Sequence, residues 1–346
     1  MSVELRFRQQ AEQCRLHGSP LTGALLEGAA DDLQAGGVVA DLLAAHVDEP
    51  SGSVPSLRFA GALHRLVLHR KASELALHYP SVGGTASVEE IWPAAERACR
   101  EHLVELRQLM RRTVQTNEVG RSAALYGALL LLDAPVRLLE IGASAGLNLR
   151  CDAFAYELAD GAVLGEPASP VRLVNPWEGV LPTGTVEVVN RLGCDPSPID
   201  ATTTDGRLSL TSYVWADQVP RLERLRGALQ VAQRVPASVV QAGALEFLTR
   251  ELAERPSGVT TVVWHSVVWQ YVDPAERRAV DALLERAGRD ASAEAPLARV
   301  SMEPEQIGGG SYVFRVHVQT WPTGERVHVA DALGHGPPVP WTGARP

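Results

Sequence analysis

Lysine is nearly absent from the 346 residues: Lys71 stands alone, and arginine supplies every other side-chain cation. Acidic residues outnumber basic ones, 41 to 32, for a net charge of −9. That balance leaves no basic stripe of the kind that holds nucleic acid or an anionic membrane. Aromatic residues make up only 5% and form no series for stacking bases. Four cysteines (Cys14, Cys99, Cys151, Cys194) are scattered, without a Cys-x-x-Cys pair or a histidine at ligand spacing. This argues against a zinc site or a disulfide framework. No apolar run approaches the roughly 18–20 residues of a membrane span, and Arg6, Arg8, Glu12 and Arg15 interrupt the stretch where a leader would be apolar. The expectation is a soluble cytoplasmic protein with no metal and no nucleic-acid or membrane partner. Oligomeric state is left open.

What is present falls into two halves. Residues 1–130 carry apolar residues at helical spacing and no period-two alternation. Helices are expected over Val3–Leu16, from Ser19-Pro20 to Gly36-Gly37, and over Val38–Val47, Ser56–Leu68 and Ala94–Met110. A turn-rich run at His78–Gly84 reads as too polar for the core. A second polar run, Gln115–Arg121, precedes a helix over Ser122–Leu132; it is either a helix start capped by Thr116 or Asn117, or a lid facing substrate or cofactor. After Val136 short strands alternate with helices, ending in an antiparallel pair over Tyr312–Trp321 and Arg326–Asp331. Parallel strands joined by helices predict a layered α/β sheet with its ligand beyond the strands' carboxyl ends.

The stretch Val136–Arg150, VRLLEIGASAGLNLR, organises the rest. An apolar strand runs into a small-residue turn, Gly142–Gly146, and then into helix-compatible Leu147–Arg150. Such a turn aims backbone N–H groups and a helix dipole at a ligand above it. Two chemistries use that geometry. Glu140-x-Gly142-x-x-x-Gly146 resembles the first motif of S-adenosylmethionine (SAM)-dependent methyltransferases. Gly142-x-Ser144-x-Gly146 resembles the nucleophile elbow of hormone-sensitive-lipase-like esterases, with Asp331 and His335 in the order that completes a triad. Two features oppose the esterase: 1–130 is helical where that fold places strands, and Glu140 puts a carboxylate near the developing oxyanion.

The methyltransferase resemblance implies a Rossmann-like class I sheet over 131–346, of parallel strands plus the terminal hairpin, with an insertion at about 151–184. An all-α N-terminal domain or lid over 1–130 precedes it. SAM is the implied cofactor. Gly142, Ala143, Ser144 and Gly146 give it close backbone approach, with Asn148 beside them, and Glu140 receives its ammonium. Asp195 holds the ribose hydroxyls, Gln241, Ala242 and Gly243 meet the adenine, and His265-Ser266 face the methyl group. Asp195 lies about fifty residues past Gly146, where about twenty is usual; an earlier acid such as Glu157 is the alternative. The acceptor side draws on Gln115, Asn117, Arg121, His78, Tyr79, Trp269, Gln270 and Tyr271. His265 is the candidate general base, its ordinary pKa of about 6.5 suiting the task, and Glu118 is the alternative. A small molecule is the expected acceptor, and a non-catalytic SAM- or nucleotide-binding protein is a further reading.

The chain as a whole resembles a bacterial family, mostly actinobacterial, known as domain of unknown function 2332. The resemblance rests on 78–84 (HYPSVGG), 114–121 (VQTNEVGR), 138–149 (LLEIGASAGLNL), 193–195 (GCD) and 265–271 (HSVVWQY). It implies no particular activity.

Overall fold

The computed structural model describes residues 2–46, 49, 54–132, 134–181, 183–308 and 311–346. The chain divides into two compact units, one of 1–116 with 203–223, the other of 117–202 with 224–346.

Among its described residues the first unit is built of helices, and each start has a local cause. Ser2 caps Val3–Leu16 by accepting the Leu5 amide, and Ser19 caps Pro20–Gln34 with proline in the first turn. Phe7, Leu25, Leu26, Phe59 and Leu63 are fully buried and form its centre with their neighbours. The long helix expected over Ala94–Met110 is two, Ile91–Glu101 and Leu103–Leu109, because His102 leaves helical geometry at φ −117°. The run His78–Gly84 is also not outside the core. Tyr79 is only 1% exposed and packs its ring 5.4 Å from that of His64, whose Nε2 takes the Ser81 hydroxyl at 2.9 Å. Residues 203–223 join this unit from far along the chain. Their helix Thr204–Ser212 is tied in by an Asp205–Arg65 ion pair, and Asp217 accepts the Ser19 hydroxyl at 2.6 Å.

The second unit holds a seven-stranded sheet: β1 (Pro135–Ile141), β2 (Glu187–Asp195), β3 (Ser238–Gln241), β4 (Thr260–Ser266), β5 (Leu297–Gly308), β6 (Ser311–Trp321) and β7 (Glu325–Ala332). Its order is β3-β2-β1-β4-β5-β6-β7. Neighbours from β3 through β5 run parallel, and β6 and β7 return antiparallel as the expected hairpin. The α/β expectation therefore holds as a large, mostly parallel sheet with helices. Strand order reverses between β1 and β4, the place where open α/β sheets hold ligands.

Alternation along β1 decides what faces what. Leu139 and Ile141, with Val263 of β4, pack with Phe247, Leu248, Val280 and Leu284 of the helices Ala244–Glu251 and Pro274–Arg289. Glu140 and its register partner Trp264 point to the opposite face. Residues 151–184 carry a small sheet of their own, in which Ala155–Glu157 pairs with Val163–Gly165 and Arg172–Val174.

Candidate site at the carboxyl end of the first strand

The turn after β1 departs from standard right-handed backbone three times: Gly142 has φ +68°, Ser144 +52° and Gly146 +65°. Three bonds fix it. The Ala143 amide donates to Cys194 O at 3.0 Å, the Ser144 amide to Asp195 Oδ2 at 2.9 Å, and the Leu147 amide to Asn117 Oδ1 at 2.7 Å. The expected helix after the turn does not form. Asn148–Ala153 is a 3-10 segment broken at Arg150 (φ −107°), whose guanidinium turns back onto Gly146 O at 2.7 Å. No helix dipole therefore points at a ligand here, and the backbone at Gly142 is not open. A Cβ there would lie 2.4 Å from Val268 Cγ2.

The polar side chains of the turn are buried and incompletely bonded. Glu140, Ser144 and Asn148 are each 2–3% exposed, and among the described residues Glu140 Oε2, Ser144 Oγ and Asn148 Oδ1 have no hydrogen-bond partner. Burial pushes the Glu140 carboxyl up to about 8, and the nearby Asp195 charge adds to the effect. Trp264, Arg150 and Arg121 offset only part of it. The balance at Glu140 favours the protonated carboxyl.

Glu118 borders this cluster. Asn148 Nδ2 donates to its backbone oxygen at 3.2 Å, and its own side chain, not that of Thr116 or Asn117, caps the 3-10 turn Val119–Arg121 by accepting the Gly120 amide at 3.1 Å. Arg224 lies 4.0 Å and His335 Nδ1 3.7 Å from its carboxylate. Arg121 is a bridge within the fold, donating to Gly334 O at 3.0 Å and to Ser266 O at 3.3 Å. These bonds gather Asn117, Glu118, Arg121, Ser144, Asn148, Asp195 and Ser266 at the strands' carboxyl ends, where Glu140 also lies.

His265 has a different place from the one its position suggests. Its Nε2 accepts from Arg299 Nε at 3.0 Å, since a guanidinium only donates, and its Nδ1 therefore carries the proton given to Glu303 Oε1 at 2.7 Å. Burial, then the Arg299 charge, lower its pKa. Both ring nitrogens of His265, the expected general base, are thus hydrogen-bonded within the fold. Asp195 is also engaged: besides Ser144 it accepts the Ser197 amide at 2.8 Å. Glu157, the alternative ribose acid, pairs with Arg172.

Gln241 ends β3 and donates to Pro196 O at 3.1 Å. The Ala242 amide donates to Asp195 O at 3.2 Å, and Gly243 starts the helix Ala244–Glu251. Trp269, Gln270 and Tyr271 form a 3-10 turn beyond β4, with Tyr271 57% exposed. Gln115, His78 and Tyr79 belong to the first unit, where His78 Nδ1 donates to Ser87 O at 2.7 Å. The esterase triad does not assemble. Asp331 pairs with His328 at 2.8 Å, His335 lies by Glu118, and among the described residues no imidazole reaches Ser144 Oγ. Among the described residues no three His, Cys, Asp or Glu side chains are placed to hold a metal, and no helix is long and apolar enough to cross a membrane.

Sequence reading missed Arg299 and Glu303. The available signal was polarity: Arg299 interrupts the apolar run Leu297–Met302, and Glu303 ends it. Residues 4–341 match the model of a family described as an uncharacterized protein conserved in bacteria, domain of unknown function 2332. The comparison with curated proteins finds no match.

Proposed function

Because the match spans nearly the whole chain, the protein belongs to that bacterial family, and from its geometry we propose a SAM-dependent methyltransferase acting on a small molecule. One observation carries the reading: three buried polar atoms without a hydrogen-bond partner among the described residues (Glu140 Oε2, Ser144 Oγ and Asn148 Oδ1) belong to the end of β1 and the turn that follows it, beside the sheet's switch point. Buried polar atoms without partners are rare and call for a ligand that completes them. Their chemistry fits this cofactor: a buried carboxyl suits its ammonium, and a hydroxyl and an amide oxygen suit its polar edges. When bound, SAM supplies a methyl group on a sulfonium.

In this reading Glu140 receives the ammonium, and Asp195 chiefly holds the turn on which the ribose rests. Gln241, Ala242 and Gly243 border the adenine. Glu118, beside His335, takes the acceptor's proton in place of His265.

Calorimetric titration with SAM and S-adenosylhomocysteine tests the proposal. Micromolar binding, lost in Glu140→Gln, is expected. Absence of binding at millimolar ligand overturns the reading. The commitment of both His265 nitrogens favours a second reading, binding without transfer. Incubation with deuteromethyl-SAM and a bacterial metabolite extract separates the two, since only the enzyme yields labelled product. Ser144 should remain unlabelled by a fluorophosphonate probe, because no base activates it.

A further inference from the structure

The loop beyond β4 is anchored by β5. Val267 has φ +51°, a conformation that β-branched residues avoid unless their surroundings impose it. Its amide donates to Met302 O at 2.9 Å. Next along β5, Glu303 accepts the Val268 amide at 3.3 Å and the Trp269 amide at 3.4 and 3.3 Å. The same carboxylate takes the His265 Nδ1 proton; His265 Nε2 takes Arg299, and Asp281 holds Arg299 at 2.7 Å. Trp269 stacks on His265 at 4.5 Å and receives the Arg299 guanidinium over its ring at 4.8 Å. The residue between these anchors, Val268, lies against Gly142, filling the space a side chain there would need.

We infer that Glu303 is a positioning residue. Through His265, Arg299 and two loop amides it locks 267–272, so that Val268 braces the glycine turn from outside. Ser144 and Gly146 are held from within the turn's own side of the sheet by Asp195, Ile199, Ala143 and Arg150, whereas Val268 abuts Gly142 from the loop beyond β4, so a fixed neighbour there keeps the start of the turn in register. This deepens the cofactor reading and, for its effect on affinity, rests on it.

Amide hydrogen exchange on the intact chain tests the clamp without any ligand. Glu303→Ala should raise exchange at least tenfold both in 267–272 and in 142–147. Glu303→Gln keeps an acceptor oxygen for the two amides and should stay within about threefold of wild type. Val268→Ala leaves the ion relay intact and should raise exchange in 142–147 only. The inference is overturned if Glu303→Ala leaves 142–147 at wild-type protection, or if Val268→Ala changes neither segment. Should Glu303→Ala fail to fold, Val268→Ala and Glu303→Gln decide the matter. A parallel titration with S-adenosylhomocysteine should show at least tenfold weaker binding in Val268→Ala. If wild type binds none, the cofactor reading falls while exchange still decides the clamp.

Discussion

The Ser144 amide donates to Asp195 Oδ2 at 2.9 Å, so the acid ending β2 holds the left-handed residue of the turn that ends β1. Asp195 Oδ1 takes the Ser197 amide at 2.8 Å, making the buried side chain a splice between two parallel strands' outgoing loops. A carboxylate in that role acts on stability before it acts on any ligand.

Asp195→Ala should therefore destabilise the protein by about 1–3 kcal/mol, the usual cost of leaving buried donors unpaired. Asp195→Asn keeps one acceptor oxygen and should cost less than half as much. Urea unfolding of both variants checks this. Equal losses would mean that the charge, and not the two bonds, is what matters.

Glu140 gives stability a pH dependence of definite sign. Its carboxyl is raised from an ordinary 4.5 to about 8 by burial, so between those values the folded state holds a proton that the unfolded chain has released. The contribution is fully present below about pH 4.5 and is lost as pH rises through about 8. Relative to Glu140→Gln, the wild type should lose roughly 2–4 kcal/mol across that window. Denaturant midpoints at pH 5 and pH 9 measure it. Binding of a cationic ligand at neutral pH should also release a proton, making the calorimetric enthalpy depend on the buffer's ionisation heat, and Glu140→Gln should remove that dependence.

His265 should take a second proton only below its ordinary 6.5 and hold the Nδ1–H tautomer above it, because burial and Arg299 both oppose that proton. Its pKa is depressed, so the stability it confers is present above about 6.5 and falls as pH drops below that value. Long-range ¹H–¹⁵N correlation spectra between pH 5.5 and 8 check the tautomer. An ordinary titration near 6.5 would return the base role to this residue.

Much of this site was legible in the sequence because local rules govern it. An apolar run closing on Glu140 and small residues is a strand feeding a tight turn, and glycines are needed where φ is +68° and +65°. Asp273 before Pro274 marked a helix start, and its side chain does cap that helix. What failed was long-range. Leu147–Arg150 has helix-forming residues, yet Arg150 donates to Gly146 O and Val235 O, and its φ leaves the helix. Thr204–Ser212 belongs with the first unit through Arg65, 140 positions upstream of Asp205. The partners of His265 were hidden too, because Arg299 and Glu303, which bond its two nitrogens, lie 34 and 38 positions later. Periodicity carries no information about such partners.

Gly142→Ala isolates the contact between the turn and the loop beyond β4. The new methyl would sit at φ +68° and 2.4 Å from Val268 Cγ2. The left-handed backbone costs about 1–2 kcal/mol for a side-chain-bearing residue, and overpacking adds about 1–3 kcal/mol. Val268→Ala removes the methyl groups that the new Cβ would strike and leaves the backbone term untouched. In that background Gly142→Ala should therefore cost only about 1–2 kcal/mol. The double-mutant cycle should show a coupling of at least about 1 kcal/mol between the two positions. If Gly142→Ala costs the same in both backgrounds, its penalty is one of backbone conformation alone, and Val268 does not press on the turn.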